Sequence, residues 1–470
     1  MGHIFGVLGE DRKDYFKAIK QLNNRNSKTK AIRDQDRKIS LGINKIGLKN
    51  YLEELEEYKS KRYIFNGQLY SKELSRDKAP IIGIDQANTG LDQIDELFSN
   101  DSVFSFCYNE ENKVYLARDY VGVNPLFYGR DQGSLIFSSN KSSLLKSDLK
   151  PIKSIDPGSV YEFDLENLDL QKKQIEKIEA KCNEKNNISI EEISKEILDI
   201  LDRSIRSRIE KLDEVAIAFS GGIDSSLVAK LADKYTKVNL FTVGMKDSPD
   251  FKWSKMVSKE LDLEHNIIEL TTEKIEEFIQ PTIDSIGSAN RLDIGVGLPF
   301  YILSKNLEER GYDSMVSGQG SDELFGGYDK YKRSDNSKRL MANDIKNMAE
   351  RNLERDKNVC LSNNIHHLTP FVTKSMIELS LSLPVDLKIG EREKEILRLS
   401  AEKILPEKVV RESKRSLQYS SRIDREIDRI ARENGFKRRI GHHVDKYLRK
   451  KAKDVFNEEV LNEVARKFED

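Results

Sequence analysis

The stretch that decides the fold is Val215-Ala-Ile-Ala-Phe-Ser-Gly-Gly-Ile-Asp-Ser-Ser-Leu-Val228. A short apolar run breaks into Ser-Gly-Gly and an amphipathic segment follows at once, which predicts a strand, a tight glycine turn and the start of a helix. Free backbone N–H groups and the helix dipole make such a turn an anion site, and its glycines let a phosphate approach closely. A carboxylate beside an anion, here Asp224, indicates a bridging cation such as Mg²⁺.

A second glycine-rich stretch follows about a hundred residues later, Ser314-Met-Val-Ser-Gly-Gln-Gly-Ser-Asp-Glu-Leu-Phe-Gly-Gly-Tyr328. It also begins as a strand and ends in a glycine turn. The first stretch resembles the Ser-Gly-Gly-x-Asp-Ser loop of the ATP pyrophosphatases (PP-loop enzymes), and the second resembles a signature of asparagine synthetases and the related β-lactam synthetases. Two motifs in this order make a specific match. A glycine-rich turn with a serine cap is the alternative for the first, but the spacing of its aspartate and serines favours the family motif.

Composition restricts the class of protein. The 470 residues suffice for two or three domains, and the formal net charge of −1 gives no reason to expect nucleic acid or a membrane as a partner. Three cysteines without a Cys-x-x-Cys pattern argue against a disulfide framework or a zinc site and favour a cytoplasmic protein. The sequence contains no apolar run of membrane-spanning length.

The pattern of apolar residues changes along the chain. Residues 1–170 predict short strands in stacked antiparallel sheets, 171–190 a polar linker, 191–425 alternating strands and helices around a parallel sheet, and 426–470 a charged helical tail. The tail carries isoleucines on one helical face and is interpreted as a helix with a solvated charged face; a nucleic-acid contact is the alternative. The resemblance implies an N-terminal glutamine amidotransferase-like sandwich of the N-terminal-nucleophile hydrolase type, followed by an α/β PP-loop ATP pyrophosphatase domain.

The N-terminal domain resembles the glutaminase half of asparagine synthetases in Asn66-Gly-Gln-Leu-Tyr70, in Arg118-Asp-Tyr-Val-Gly-Val-Asn-Pro-Leu-Phe-Tyr128 and in Phe137-Ser-Ser-Asn140. Its chemistry does not match. The family begins with Met-Cys-Gly, whereas this chain has Gly2 in place of the cysteine nucleophile, and glycine has no thiol. Gln68 replaces the carboxamide-binding glutamate, and His3 is interpreted as a surface-strand residue. We therefore expect no glutaminase activity.

The resemblance also implies the residues of an ATP site. Asp224 and Asp322 match the family's Mg²⁺ ligands, and Lys414 matches a lysine that contacts the adenylated phosphate. The remaining nucleotide-binding positions are Phe219, Ser220, Gly221, Gly222, Ser225, Val243, Gly244, Ser317 and Gly318.

Two substitutions separate the second half from the family pattern. Gln319 occupies the position of a glutamate that takes a proton from ammonia, and an amide is no base near neutral pH. His366 occupies the place of another glutamate and is a candidate base, with a locally hydrogen-bonded histidine as the equal alternative. We therefore assign Gln319, His366 and Lys414 to the catalytic set.

The resulting hypothesis is an ATP-dependent, AMP-forming ligase that adenylates aspartate or a similar acid and amidates it with ammonia. One alternative is a different amide made by the same core, as in β-lactam synthetases. Another is a PP-loop enzyme that modifies nucleic acid, supported only by the basic tail. The expected partners are small molecules, namely ATP, Mg²⁺, a carboxylate and ammonia, with a homodimer as a further expectation.

Overall fold

A computed structural model describes most of the chain. The described residues are 3–9, 17, 28–34, 39–45, 52–58, 61–68, 97–98, 101–131, 133–147, 149, 151–167, 169–179, 188–246, 248–412, 422–457 and 460–461.

The N-terminal strands form two antiparallel sheets, in the orders β10-β8-β9-β1-β3-β2 and β12-β11-β7-β6-β5-β4. Leu41 and Phe137 of the first sheet share one apolar core with Leu116 and Phe163 of the second, so the sheets stack face to face as predicted. The strands are β1 Ile4–Gly9, β2 Lys28–Asp34, β3 Ile39–Lys45, β4 Leu52–Tyr58, β5 Lys61–Gln68, β6 Val103–Glu110, β7 Lys113–Arg118, β8 Phe127–Asp131, β9 Ser134–Ser138, β10 Lys153–Ser154, β11 Ser159–Asp164 and β12 Leu170–Gln174.

Strand β12 begins at Leu170 and runs into the segment 171–190 that was predicted as a linker. It pairs with β11 at the edge of the second sheet, with Ser159 opposite Gln174. Its residues are polar because the side chains of an edge strand are largely exposed to water. Polarity alone therefore did not distinguish this strand from a linker.

The C-terminal part is built on a parallel sheet in the order β15-β14-β13-β16-β17. Its strands are β13 Glu214–Ala218, β14 Lys237–Met245, β15 Glu264–Leu270, β16 Ser314–Val316 and β17 His366–Leu368. Because the chain first adds strands on one side of β13 and later on the other, the strand order reverses between β13 and β16. In sheets of this kind, ligands bind at the carboxyl ends of the two strands that flank this reversal.

Helices cover both faces of the parallel sheet. They are α1 Lys141–Lys146 in the N-terminal part, then α2 Ile190–Ile209, α3 Ile223–Ala232, α4 Pro249–Leu261, α5 Thr272–Ile286, α6 Arg291–Glu309, α7 Ser321–Phe325, α8 Asp329–Lys332, α9 Ser337–Lys346, α10 Glu354–Ser362, α11 Lys374–Ser382, α12 Val385–Lys388, α13 Glu395–Ala401, α14 Glu407–Arg411, α15 Ile423–Glu433 and α16 His443–Ala452. A π-helical turn, Ala349–Leu353, directly precedes α10. No helix among the described residues is long and apolar enough to cross a membrane.

The predicted tail packs on the parallel-sheet domain. Ile423, Ile427 and Ile430 are buried in the same apolar cluster as the inner faces of α5 and α6, while Arg425 on the opposite face is exposed. The boundary predicted after residue 425 falls inside α15, because the change in charge there marks one face of a helix and not a new unit. The helix is therefore part of the core on its apolar face.

Replacing Ile427 by alanine should lower the free energy of unfolding by about 2–5 kcal/mol, because the fully buried side chain leaves a cavity. Urea unfolding followed by the fluorescence of Trp253, the chain's single tryptophan, reports on this domain. Arg425→Ala is the matched control and should shift the transition by less than about 0.5 kcal/mol. Equal stability of both variants would contradict the packing of α15.

Candidate active site

The two glycine-rich turns meet at the reversal of the strand order. Ser220 follows β13, and Ser317 follows β16, its neighbour in the sheet. The backbone N–H of Ser317 donates to the carbonyl of Leu368 at 3.1 Å, which extends the pairing of β16 with β17 up to the turn. Both motifs are thus held at the carboxyl edge of one sheet.

Hydroxyl groups within the first glycine-rich turn, after β13, stabilise its conformation. Oγ of Ser220 lies 3.3 Å from Oγ of Ser225 and accepts from the backbone N–H of Gly222 at 3.2 Å. Gly222 precedes α3 without a side-chain cap, so the first N–H groups of that helix face the turn. This arrangement is the one that a pyrophosphate group requires.

Gly221 and Trp253 fix the shape of this turn. Gly221 has a φ of +74°, and an added Cβ would lie 2.8 Å from the indole ring of Trp253. The indole Nε1 donates to the carbonyl of Gly221 at 2.9 Å. Trp253 was absent from the sequence-based site, since nothing in α4 marks it as a neighbour of the turn.

The two motifs touch through glycines. A Cβ on Gly318 would lie 2.7 Å from Cβ of Asp224, and a Cβ on Gly327 would lie 1.9 Å from Oδ1 of Asp322. The two motifs touch at Gly318, which belongs to the second motif and lies against Asp224 of the first, whereas Gly327 lies against the carboxylate of its own motif.

Lys394 joins the two aspartates. Its Nζ lies 2.6 Å from Oδ2 of Asp224 and 2.6 Å from Oδ1 of Asp322 and donates to Oγ of Ser321 at 3.0 Å. Burial opposes the charge of this ammonium group, but the two carboxylates outweigh it and hold the pKa of Lys394 above its ordinary value. Lys394 also has a left-handed backbone, with a φ of +58°. Strained backbone of this kind is concentrated at functional sites.

Lys394 was not predicted from the sequence. It lies in Glu391-Arg-Glu-Lys-Glu395, a run of charges that is typical of a solvated loop. The role of Lys394 becomes apparent only in the structure, in which its side chain is 2% exposed and that of each aspartate is 25% exposed.

The site leaves a ligand position on Asp224. Oδ1 of Asp224 is buried and has no hydrogen-bond partner among the described residues, whereas Oδ2 contacts Lys394. A carboxylate oxygen in this state fits a hard divalent cation whose other ligands come from phosphate oxygens and water. The described residues contain no cluster of three His, Cys, Asp or Glu side chains that would bind a metal without such additional ligands.

The positions predicted around adenosine line the next strand end. Val243 and Gly244 lie at the end of β14, and Phe219 donates its backbone N–H to the carbonyl of Phe241 at 2.8 Å. Oγ of Ser248, beside Gly244, is buried without a hydrogen-bond partner among the described residues. An unused polar atom here suits the edge of a purine base.

The two adjacent histidines of β17 have different neighbours in the structure. His366 pairs with Ser314 at the beginning of β16, away from the turn. His367 reaches the turn, because its Nε2 lies 2.7 Å from Oγ of Ser317. Oγ of Ser317 also accepts from the backbone N–H of Gln319 at 3.3 Å.

Burial keeps the pKa of His366 well below its ordinary value, so its ring is neutral and weakly basic. Burial and the nearby charge of Lys357 lower the pKa of His367 to about 3. The proposed roles of His366 and Gln319 stay predictions, and Lys414 lies outside the described residues.

The N-terminal domain has a buried histidine where the sequence predicted an exposed one. His3 is 7% exposed, its Nδ1 lies 3.4 Å from Oγ of Ser139, and burial lowers its pKa to about 3. The interpretation of His3 as a surface residue was wrong, because it immediately precedes β1, a central strand of its sheet. Gln68 is likewise buried, and Gly2 lies outside the described residues.

Comparison with known proteins agrees with this geometry. The family model for asparagine synthase matches residues 196–339 and 333–470, and that for a glutamine amidotransferase domain matches residues 87–187. The chain belongs to the asparagine synthetase family. It is 31% identical over 415 residues to a candidate glutamine-hydrolysing asparagine synthetase of Methanocaldococcus jannaschii, covering 76% of each chain. It is 25% identical to asparagine synthetase B of Escherichia coli, covering 73% of this chain and 64% of that protein.

Membership of the asparagine synthetase family makes the chain an ATP-dependent amidating ligase and confirms the two-domain architecture predicted from the motifs. It does not favour the nucleic-acid-modifying alternative. That hypothesis depended on the basic tail, where Arg432 and Arg438 both pair with Asp428, at 3.0 and 2.7 Å.

Replacing Gly318 by alanine should weaken MgATP binding by about tenfold or more, because the new Cβ must push Asp224 or the turn aside. Isothermal titration calorimetry measures the affinity directly. Gly295→Ala is the matched control, since the nearest atom to its added Cβ, Oδ1 of Asp424, is 3.8 Å away. Unchanged affinity in both variants would show that the contact of the two turns does not shape the nucleotide site.

Proposed function

We propose that the chain adenylates the side-chain carboxylate of aspartate or a related acid and amidates it with ammonia, forming AMP and pyrophosphate. The observation that carries this proposal is the convergence of Asp224, Asp322 and Lys394 between two glycine turns at the reversal of a parallel sheet. A site of this composition binds a polyphosphate together with a divalent cation.

The proposed reaction has two steps, adenylation of the acid and attack by ammonia. A carboxylate oxygen of the acid attacks the α-phosphorus of ATP, the bond between the α-phosphorus and its bridging oxygen breaks, and pyrophosphate leaves. Ser220, Ser225 and the N–H groups that open α3 hold the leaving pyrophosphate by hydrogen bonds. Ammonia then attacks the acyl carbon, AMP leaves with the carboxylate oxygen, and the surplus proton of the nitrogen passes to a base.

The base is the part of the sequence pattern that differs from the family, since glutamine occupies position 319. The sequence pattern gives His366 as the proposed base, although its ring is buried and weakly basic in the structure, and Lys414 as the proposed contact of the adenylated phosphate.

We propose that the nitrogen comes as ammonia and not from the chain's own hydrolysis of glutamine. The support is chemical, because Gly2 supplies no nucleophile and the pKa of His3 is lowered to about 3 in a buried position. The intact sandwich around this position then serves another purpose than glutamine hydrolysis.

Pyrophosphate release from purified protein with MgATP tests the proposal. We expect release to require aspartate and ammonium together, with AMP and asparagine as products, and glutamine to be no substitute for ammonium. Turnover with glutamine alone would contradict the loss of glutaminase activity. Turnover with another acid, but not with aspartate, would move the function to a different amide.

Asp224 and Asp322 are proposed to hold Mg²⁺, which when bound would neutralise the polyphosphate and polarise the α-phosphate. Asp224→Asn should lower pyrophosphate release by about 100-fold and raise the Mg²⁺ concentration needed for half-maximal rate. Asp262→Asn is the matched control, since this aspartate is exposed and ends α4 in a left-handed conformation that asparagine also adopts. Equal Mg²⁺ dependence in the two variants would reject the assignment.

A homodimer and a cytoplasmic location accompany this proposal. Size-exclusion chromatography with light scattering tests the oligomeric state. A monomeric mass would contradict the proposed dimer and leave the assignment of the active-site residues unchanged.

A further inference from the structure

The N-terminal domain contacts the synthetase domain through a buried ion pair. Nη1 of Arg118 donates to Oε1 of Glu354 at 2.8 Å, and Oγ of Ser154 donates to the same oxygen at 3.0 Å. The side chain of Arg118 is 1% exposed and that of Glu354 12%. Arg118 also donates to the carbonyls of Gly122 and Asn124, so its position is fixed from within its own domain.

Glu354 directly follows the π-helical turn Ala349–Leu353. A π-turn is a rare interruption of an α-helix and is frequently found at functional sites. The N-terminal domain also contacts this turn, because a Cβ on Gly122 would lie 3.0 Å from Cβ of Ala349. The turn is therefore held against the N-terminal domain at both of its ends.

The π-turn aims one side chain at the nucleotide site. Nδ2 of Asn352 donates to Oε1 of Glu323 at 2.7 Å, and the hydroxyl of Tyr328 donates to the same oxygen at 2.6 Å. Glu323 is 2% exposed, and its Oε2 is buried without a hydrogen-bond partner among the described residues. A carboxylate so placed depends on the few donors that it has.

Glu323 is the neighbour of Asp322 in α7. Tyr328 donates its hydroxyl to Glu323, and the backbone N–H of the preceding Gly327 donates to the carbonyl of Asp322 at 2.8 Å, so the two carboxylates are held by the same turn. Asp322 in turn contacts Lys394, and Lys394 contacts Asp224. Hydrogen bonds and ion pairs, joined by the backbone between Asn352 and Glu354 and between Asp322 and Glu323, therefore lead from the N-terminal domain to the proposed Mg²⁺ ligands.

We propose that the N-terminal domain, lacking its nucleophile, acts as a positioning element for the ATP site. The contact of Arg118 with Glu354 holds the π-turn where Asn352 reaches Glu323, and Glu323 orients Asp322. Asn352 and Glu354 are positioning residues, because neither contacts the reacting atoms. This inference depends on the proposed function for the identity of the ligand that is positioned.

The test is a double-mutant cycle on MgATP affinity, measured by isothermal titration calorimetry without the acid substrate. We expect Asn352→Ala and Glu354→Gln each to raise the Kd for MgATP by about fivefold or more, a typical size for coupling between sites. Because both substitutions interrupt the same series of contacts, the double variant should bind MgATP no more weakly than the weaker-binding single variant. In turnover, the KM for ATP should rise while the KM for the acid stays the same.

Asp284→Asn is the matched control. Asp284 accepts from Ser142 and from Lys146 of the N-terminal domain at 2.6 Å each, so this variant also replaces a carboxylate between the domains. It lies on α5, which carries none of the proposed site residues, and should leave the Kd unchanged. Thermal unfolding confirms that each variant is folded, and Ser154→Ala replaces Glu354→Gln should the latter not fold.

Several results would overturn the inference. One is an unchanged Kd for MgATP in Asn352→Ala or in the variant at the domain contact. Another is a Kd in the double variant that rises by the product of the two single increases. The third is an equal rise of the Kd in Asp284→Asn. Wild-type protein that binds MgATP but releases no pyrophosphate would contradict the proposed function and leave the Kd comparison valid. Wild-type protein that does not bind MgATP would overturn both proposals.

Discussion

The ammonium group of Lys394 between the carboxylates of Asp224 and Asp322 is the interaction on which the rest of the site depends. Two carboxylates close together repel each other, and partial burial strengthens the repulsion. One buried cation at 2.6 Å from each removes much of this cost. With charges of −2 and +1, the group keeps a net negative charge, which favours the approach of a divalent cation with its bound phosphates.

This ion pair is possible only because three distant parts of the chain converge. Asp224 opens α3, Asp322 opens α7, and Lys394 directly precedes α13, 170 residues after Asp224. The parallel sheet brings the first two to one edge, and Gly318 lets the second turn approach the backbone at Asp224 and Ser225. The fold and the electrostatics of the site are thus consequences of the same strand order.

The sequence predicted the strand–turn–helix at β13 and α3 and the second motif at β16, because both carry local signals: an apolar run, glycines and a cap. Residues whose role depends on tertiary contacts were missed. Lys394 lies in a charge run, and Trp253 lies on a helix with no local sign of its contact with Gly221. In β17, successive side chains alternate between the faces of the sheet, so no pattern in the sequence distinguishes His366 from His367 as the neighbour of Ser317.

The N-terminal domain illustrates why loss of a nucleophile and loss of a domain have different physical consequences. Tyr120, Val121 and Val123 are buried in the same apolar cluster as the core of the parallel-sheet domain. Removing the N-terminal domain would expose that surface to water, and it would leave Glu354 without the cation that it faces. Both contacts are made by residues other than the glycine at position 2. On our proposal that the chain does not hydrolyse glutamine, the stability and geometry of its synthetase half therefore still require the sandwich beside it.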